Sequence, residues 1–141
     1  RCQRPNGNKM DKHSDLVTIK TIHSENDLQI IHGYGDGGFR ISGKRFCGSV
    51  FVTLRHTSSW SPPTPEQLTV SAIIDLVPRE VPPLLLLGVG AVPLSPLQTL
   101  ADDLKQEGIV LELMPTAAAC RTWNLLISEG RNAAAALYAL A

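Results

Sequence analysis

The segment PTAAACRTWNLLISEGR, residues 115–131, places three strongly polar side chains in an apolar run. Arg121, Asn124 and Glu129 lie on a predicted helix whose remaining positions are largely apolar, which indicates burial. A buried guanidinium keeps its charge and requires carboxylate or carbonyl partners. These three side chains are therefore a candidate binding or structural polar cluster, and Arg121 is suited to hold a carboxylate or phosphate.

A second candidate lies at Gly88 and Gly90, where the apolar run LLLLG ends in Gly-Val-Gly. The end of such a strand is where α/β sheets form ligand crevices. The dinucleotide fingerprint needs a third glycine that leads directly into a helix, and here Pro93 and Pro96 intervene. We predict no cofactor, and we expect the carbonyls of residues 88–92 to accept hydrogen bonds from the polar cluster.

Nucleophilic or metal chemistry would need cysteines and histidines at suitable spacing. A Cys–His pair would bring Cys47 or Cys120 beside His32 or His56, but a small buried cysteine is the commoner case. Cys120 shares a helical face with Trp123, which favours packing. No spacing typical of metal ligands occurs, so we predict neither a catalytic residue nor a metal site.

Composition limits the classes of partner. The chain has 141 residues, 43% of them hydrophobic and 18% charged, which is typical of a globular domain. Thirteen basic and thirteen acidic residues give a formal net charge of zero. This removes the electrostatic argument for a nucleic-acid partner. The longest apolar stretch, residues 81–94, is too short and too rich in proline to predict a transmembrane segment.

The first 26 residues are polar and aperiodic apart from LVTI at residues 16–19. We interpret residues 1–26 as a flexible leader that ends in a lead-in strand. Met10 is a candidate natural start, which would make residues 1–9 a vector remnant. Residues 27–141 are predicted to form a single domain.

The next segment contains short β-rich runs cut by glycines, which predicts an antiparallel meander. Asp36-Gly37 and Ser42-Gly43 are typical hairpin turns between these runs. The predicted strands are Leu28–His32, Phe39–Ile41, Lys44–Phe46 and Ser49–Leu54. Residues 55–64 are predicted to be a loop that is anchored by Trp60.

Helices and buried strands alternate in the second half of the chain. A helix is predicted over residues 65–74, with Thr64 as its N-cap and Pro65 at its first position. LLLLG at residues 84–88 predicts a strand covered on both faces. A helical pattern begins at Pro96, with Ser95 as its cap, and ends at Gly108. A strand follows at residues 109–114. This βαβ unit should be a right-handed parallel crossover.

The polar helix is predicted to begin with Thr116 as its N-cap and to end near Gly130. The tail NAAAALYAL is ambiguous. Alanine propensity favours a helix, whereas a short apolar run after a glycine also suits an interior strand.

Three segments in this order, GYGDGGFRISGKRFCGSVFV, LLLLGVG and TAAACRTWNLLISEGR, resemble the Mth-type domain family over roughly residues 30–141. These are small proteins of unknown function, and their mitochondrial member is the respiratory complex I assembly factor three. The family's helix usually opens with Asp-Thr and has tyrosine before the asparagine, whereas this chain has Pro115-Thr116 and Trp123. The resemblance implies a three-layer α/β domain with a mixed central sheet, a β-meander on one side and helices packed on it. It also implies a strand at residues 131–140.

Two functions follow as alternatives. The resemblance implies a non-catalytic protein-binding or assembly module for a membrane-associated complex, with an unidentified protein partner. It places that module in a bacterial cytoplasm, or alternatively in the mitochondrial matrix. The competing hypothesis is a small-molecule binder or enzyme that uses Gly88, Gly90 and Arg121 to hold a carboxylate or phosphate.

Overall fold

The computed structural model describes residues 28–77 and 84–141. The predicted leader and its lead-in strand lie outside these residues. The strands are β1 (Ile31–Gly35), β2 (Gly38–Ile41), β3 (Lys44–Cys47), β4 (Ser49–Thr53), β5 (His56–Trp60), β6 (Leu84–Gly88), β7 (Val110–Met114) and β8 (Ala134–Leu137). The α-helices are α1 (Val70–Leu76), α2 (Gln98–Gln106) and α3 (Thr116–Ser128). Short 3-10 helices at Pro65–Gln67 and Ser95–Leu97 precede α1 and α2.

The strands form two sheets. β1, β2 and β3 are an antiparallel meander, and the second sheet has the order β5-β4-β8-β6-β7. In the second sheet β4 pairs antiparallel with β5 and β8, while β6 pairs parallel with β8 and β7. The mixed sheet and the meander confirm the predicted fold class. The predicted fourth strand of the meander, however, belongs to the mixed sheet as β4.

The mixed sheet lies at the centre of three layers. One of its faces packs against the meander and α3, through a cluster that includes Leu86, Phe39 and Trp123. The other face packs against α1 and α2, through a cluster that includes Leu85 and Leu87. β6 is therefore covered on both faces, as its continuous apolar sequence predicts. Full burial of each such side chain contributes roughly 1.5–3 kcal/mol.

Two tight turns shape the meander. Asp36 and Gly37 have φ values of 52° and 79°, and Ser42 and Gly43 have 49° and 82°. Positive φ at both central residues is the conformation that hairpin turns of this type require. The predicted turns are confirmed.

The prediction of a loop over residues 55–64 is wrong for its first half. His56–Trp60 is strand β5, which pairs with β4 from Thr53↔His56 to Ser49↔Trp60. Leu54 and Arg55 make the connecting turn and carry none of the usual turn residues, so the sequence gives no hairpin signal there. The ring of Trp60 lies 5.1 Å from that of Tyr138, which supports its predicted role as an anchor.

The helix predicted over residues 65–74 is divided in two. Pro65–Gln67 is a 3-10 helix, and Thr64 makes no side-chain cap bond. α1 begins only at Val70, where the Thr69 hydroxyl accepts a hydrogen bond from the Ala72 N–H at 3.1 Å. The cap is thus a threonine five positions later than predicted, with the usual N-cap geometry.

The predicted strand–helix–strand unit is confirmed as a parallel pair, with β6 and β7 in register from Leu84↔Val110 to Gly88↔Met114. α2 buries Leu100 and Leu104, and it ends shortly before Gly108. Its predicted start at residues 95–97 is 3-10 rather than α-helical.

The alanine-rich tail forms β8, which lies in the middle of the mixed sheet between β4 and β6. Ala134 and Ala136 face the α1–α2 side and Ala135 faces α3, all fully buried. Tertiary packing on both faces overrides the helical propensity of alanine. The strand that the family resemblance implies is confirmed.

Candidate functional site

The helix α3 positions every polar residue of the predicted cluster. Alanine-rich sequence favours its helical conformation. It ends at Gly130, whose φ of 73° allows the Gly130 N–H to bond to Ile127 O at 3.1 Å and the Arg131 N–H to bond to Leu126 O at 2.9 Å. This pairing satisfies carbonyls of the last turn. The predicted end of the helix is confirmed.

Only one face of α3 is buried. Its buried residues are Thr116, Ala119, Cys120, Trp123, Leu126 and Ile127. Arg121 and Glu129 are exposed, and Leu125 is 57% exposed. The expectation of a mostly buried helix is therefore wrong for one face, where Arg121, Leu125 and Ser128 are exposed.

Arg121 and Glu129 do not join the Gly88–Gly90 loop. Both side chains are exposed, Arg121 on the outer face of α3 and Glu129 at its C-cap. Within residues 28–77 and 84–141, no hydrogen bond or ion pair holds the Arg121 guanidinium. The expected burial of this charge is wrong. A binding role for Arg121 or Glu129 on the outer face stays a prediction.

Asn124 makes a structural contact with the meander. Its Oδ1 accepts a hydrogen bond from the Ile31 N–H at 2.9 Å, and its Nδ2 donates to the Ile31 carbonyl at 2.8 Å. The neighbouring Trp123 donates from Nε1 to the Gln29 carbonyl at 2.7 Å. At Ile31, the Asn124 amide thus makes the hydrogen bonds that a further strand beside β1 would make. Through these contacts, α3 holds the start of the meander in place.

The Gly88–Gly90 loop has a different partner from the one expected, namely Thr116. The Thr116 Oγ1 accepts from the Gly90 N–H at 2.8 Å and donates to the Tyr138 carbonyl at 2.8 Å. The Thr116 N–H donates to the Gly90 carbonyl at 3.1 Å. The predicted N-cap role of Thr116 is wrong, because Pro115 holds that position and the threonine hydroxyl joins β6 to β8.

The first turn of α3 lies directly against Gly88. A Cβ atom at this position would come within 3.0 Å of both the Ala119 Cβ and the Thr116 Cα. The Val89 N–H bonds to Met114 O at 3.1 Å, and the Gly90 N–H is already bonded. Because the N–H groups of Val89 and Gly90 already donate to other residues of the chain, they are not available to bind a phosphate.

Cys120 is 2% exposed in the core beside Trp123. Burial raises the pKa of its thiol to about 12, and the opposing effect of the Arg121 charge is smaller. A neutral thiol is a poor nucleophile, and this burial fits a packing role. Within the described ranges, no group of three or more histidine, cysteine or acidic side chains is placed to hold a metal ion.

The sequence reasoning missed one charged feature, a groove between the β2–β3 and β4–β5 turns. Its volume is about 280 Å³, and it is lined by Gln29, Ile41, Ser42, Lys44, Phe46, Arg55, His56 and Thr57. Of the four basic residues between positions 40 and 55, Lys44 and Arg55 line this groove, although the whole chain is neutral. Cationic side chains in such a groove suit a carboxylate or phosphate group.

Comparison with known proteins identifies the family. Residues 31–138 match the model of a family described as protein of unknown function, DUF498/DUF598. An uncharacterized protein of Rhodobacter capsulatus is 35% identical over 107 residues, which cover 76% of this chain and 82% of that protein. NADH dehydrogenase (ubiquinone) 1 alpha subcomplex assembly factor 3 of Danio rerio is 32% identical over 110 residues. That match covers 77% of this chain and 63% of the Danio rerio protein, so the chain spans less than two thirds of its length.

Solved structures show the same fold. A crystal structure of a Bordetella parapertussis protein has a TM-score of 0.68 and 30% identity, covering 79% of this chain and 96% of that one. The solution structure of a Bordetella pertussis protein, described as an Mth938-like domain, has a TM-score of 0.60 and 24% identity. It covers 84% of this chain and 90% of that chain.

Among residues 28–77 and 84–141, no helix is long and apolar enough to cross a membrane. Together, the family match and the shared architecture of a meander, a mixed sheet and α3 confirm the resemblance that the sequence indicates. The chain belongs to the DUF498/DUF598 family and has the Mth938-like fold.

Proposed function

We propose that this chain is a non-catalytic protein-binding module that assists assembly of a membrane-associated respiratory complex. The observation that carries the proposal is the similarity to an assembly factor of NADH dehydrogenase in Danio rerio. A relative in Rhodobacter capsulatus makes the bacterial cytoplasm the proposed location, with the mitochondrial matrix as the alternative.

The geometry around Gly88 and Gly90 does not favour the alternative of a ligand held by this loop. Thr116 uses both backbone groups of Gly90, and Gly88 lies against the first turn of α3. The end of β6, where an α/β sheet would hold a cofactor, is thus occupied by the protein's own atoms.

Affinity capture from native lysate of the source cell tests the proposal. The immobilised chain should enrich subunits of a respiratory or other membrane complex over an unrelated domain of similar size and charge. Recovery of background proteins alone, from a bait whose folding is verified by circular dichroism, would reject the assembly role.

The hairpin groove favours a second candidate function, the binding of a small carboxylate or phosphate ligand. This is the ligand class that the sequence raised, at a place other than the Gly88–Gly90 loop. A thermal-shift screen with phosphate, citrate and nucleotides tests it. A rise in the melting temperature that disappears in the Lys44→Ala variant supports this candidate, and no rise with any compound rejects it.

A further inference from the structure

The two sheets have four edge strands, β1, β3, β5 and β7, and the first three are protected. On β1, Asn124 bonds both backbone groups of Ile31. β3 carries Lys44 and Arg45, and β5 has the polar sequence HTSSW. Covering an edge, charging it and keeping it polar are ways in which proteins prevent unwanted strand pairing.

β7 is less protected, since Glu112 is its single charged residue. Its sequence VLELM contains no lysine, arginine, proline or glycine, and its register with β6 is regular over all five residues. It lies at the end of the mixed sheet, and among residues 28–77 and 84–141 it pairs with β6 alone. A regular, mostly apolar edge of this kind is a template for another strand.

The ladder with β6 determines which backbone groups of β7 are open. The Met114 carbonyl accepts from the Val89 N–H at 3.1 Å, on the β6 side. In a parallel pair, alternate residues direct both of their backbone groups to the same neighbour. Val110 and Glu112 therefore bond towards β6, whereas the N–H and C=O groups of Leu111 and Leu113 point away from the sheet.

The side chains on this edge are partly apolar and acidic. Val110 is 44% exposed and Glu112 is exposed, on the face opposite the one that packs against α2. Glu112 is the charged residue of β7 itself, whereas α2 and the residue after it add three carboxylates and one ammonium group, all exposed, so that residues 98–114 have a net charge of −3. These charged residues are Asp102, Asp103, Lys105, Glu107 and Glu112.

We propose that β7 is a docking edge for an extended segment of a partner protein. That segment adds as a sixth strand, with a basic residue beside Glu112 and an apolar residue beside Val110. Main-chain bonds to Leu111 and Leu113 hold it, and the alternate side chains select it. This proposal rests on the proposed protein-binding function and names the surface and the chemistry of the partner.

A second copy of the chain fits this edge less well than a basic segment. Antiparallel pairing over all five residues would place Glu112 directly opposite the same residue of the second copy. Like charges directly opposite each other destabilise a strand pair. The charge on the edge therefore favours a basic partner over self-association.

Two synthetic peptides of alternating threonine and valine, one with a central lysine and one with a central glutamate, test the edge. The wild-type chain should bind the lysine peptide about fivefold more tightly than the glutamate peptide. The reason is that Glu112 attracts the lysine across the strand pair and repels the glutamate. Glu112→Lys should reverse this preference. Glu66→Lys makes the same change in net charge on an exposed residue elsewhere and should leave the wild-type preference intact.

Amide hydrogen exchange gives the position of the bound peptide. Peptide binding should slow hydrogen exchange at the backbone amides of Leu111 and Leu113. The amide of Glu112 is already bonded to β6, so its exchange rate should not change. The proposal is overturned if neither amide is protected at millimolar peptide, if the charge preference fails to reverse, or if concentration alone protects both amides through self-association. If the chain captures complex subunits from lysate but binds neither peptide, the docking edge is rejected and the proposed function stands. If it binds the peptides as predicted but captures only background proteins, the assembly role is rejected and the docking edge stands.

Discussion

The side-chain amide of Asn124 pairs with both backbone groups of Ile31, accepting at 2.9 Å and donating at 2.8 Å. The residues are 93 positions apart, so the contact joins α3 to the meander across most of the chain. It also pairs the outward-facing backbone groups of β1 at Ile31. The polar residue that the sequence suggests as part of a binding cluster therefore holds α3 to the meander within one layer of the fold.

Replacing Asn124 with alanine should lower the free energy of unfolding by about 2 kcal/mol, because two hydrogen bonds are lost and Ile31 keeps unpaired backbone groups. Arg121→Ala is the matched control on the exposed face of the same helix, and its effect should stay within about 0.5 kcal/mol. Urea denaturation measures both changes. Equal effects of the two substitutions would refute the role of Asn124 in holding α3 to the meander.

Thr116 should be sensitive to loss of its hydroxyl rather than of its shape. Thr116→Val keeps the volume but leaves the Gly90 N–H and the Tyr138 carbonyl without their partner, which should cost about 1–3 kcal/mol. Thr116→Ser keeps the hydroxyl and should lose less. Chemical denaturation of the three proteins ranks them, and a valine variant as stable as wild type would contradict this account.

Gly88 should not tolerate a methyl group. In Gly88→Ala the new Cβ would lie 3.0 Å from the backbone Cα of Thr116, which cannot move without shifting α3. Overpacking of this kind typically costs about 1–3 kcal/mol. Gly33→Ala is the control, because a Cβ there meets nothing within 4 Å. Comparable urea midpoints for the two variants would show that the close contact is unimportant.

Stability should fall in alkaline solution because of Cys120. Its thiol has an ordinary pKa of 9.0 and a folded pKa of about 12, raised mainly by burial. Above pH 9 the unfolded chain therefore loses a proton that the folded chain keeps, and the free energy of unfolding falls by up to about 1.4 kcal/mol per pH unit.

The Cys120→Ala variant isolates this contribution. Burial, and to a lesser extent the charge of Glu66, also raise the pKa of Tyr138 above its ordinary 10.0, so the comparison is made between pH 9 and 10. Denaturation curves should show a steeper loss of stability for wild type than for the variant. Parallel pH profiles would contradict the raised pKa of the thiol.

Short sequence patterns predict the turns and strands that are determined by neighbouring residues. Asp36-Gly37 and Ser42-Gly43 mark the turns of the meander, and LLLLG predicts a strand buried on both faces. β5 was missed because its turn, Leu54-Arg55, carries no glycine or asparagine and its sequence HTSSW does not alternate.

The candidate site depended on contacts that are distant in the sequence. Nothing near Thr116 indicates that its hydroxyl joins Gly90, 26 residues away, to Tyr138, 22 residues away. Burial of Arg121 is expected from the largely apolar sequence of the helix, yet Arg121 lies with Leu125 and Ser128 on its exposed face. Burial of an alanine-rich helix therefore has to come from its neighbours in space.

The central claim is that this chain assists assembly of a respiratory membrane complex. Deleting its gene in the source cell, followed by native gel electrophoresis of the membranes, measures this most directly. We predict less mature complex and accumulation of a smaller subassembly, both restored by the wild-type gene. A mature complex at its normal amount and rate of formation in the deletion strain would contradict the claim.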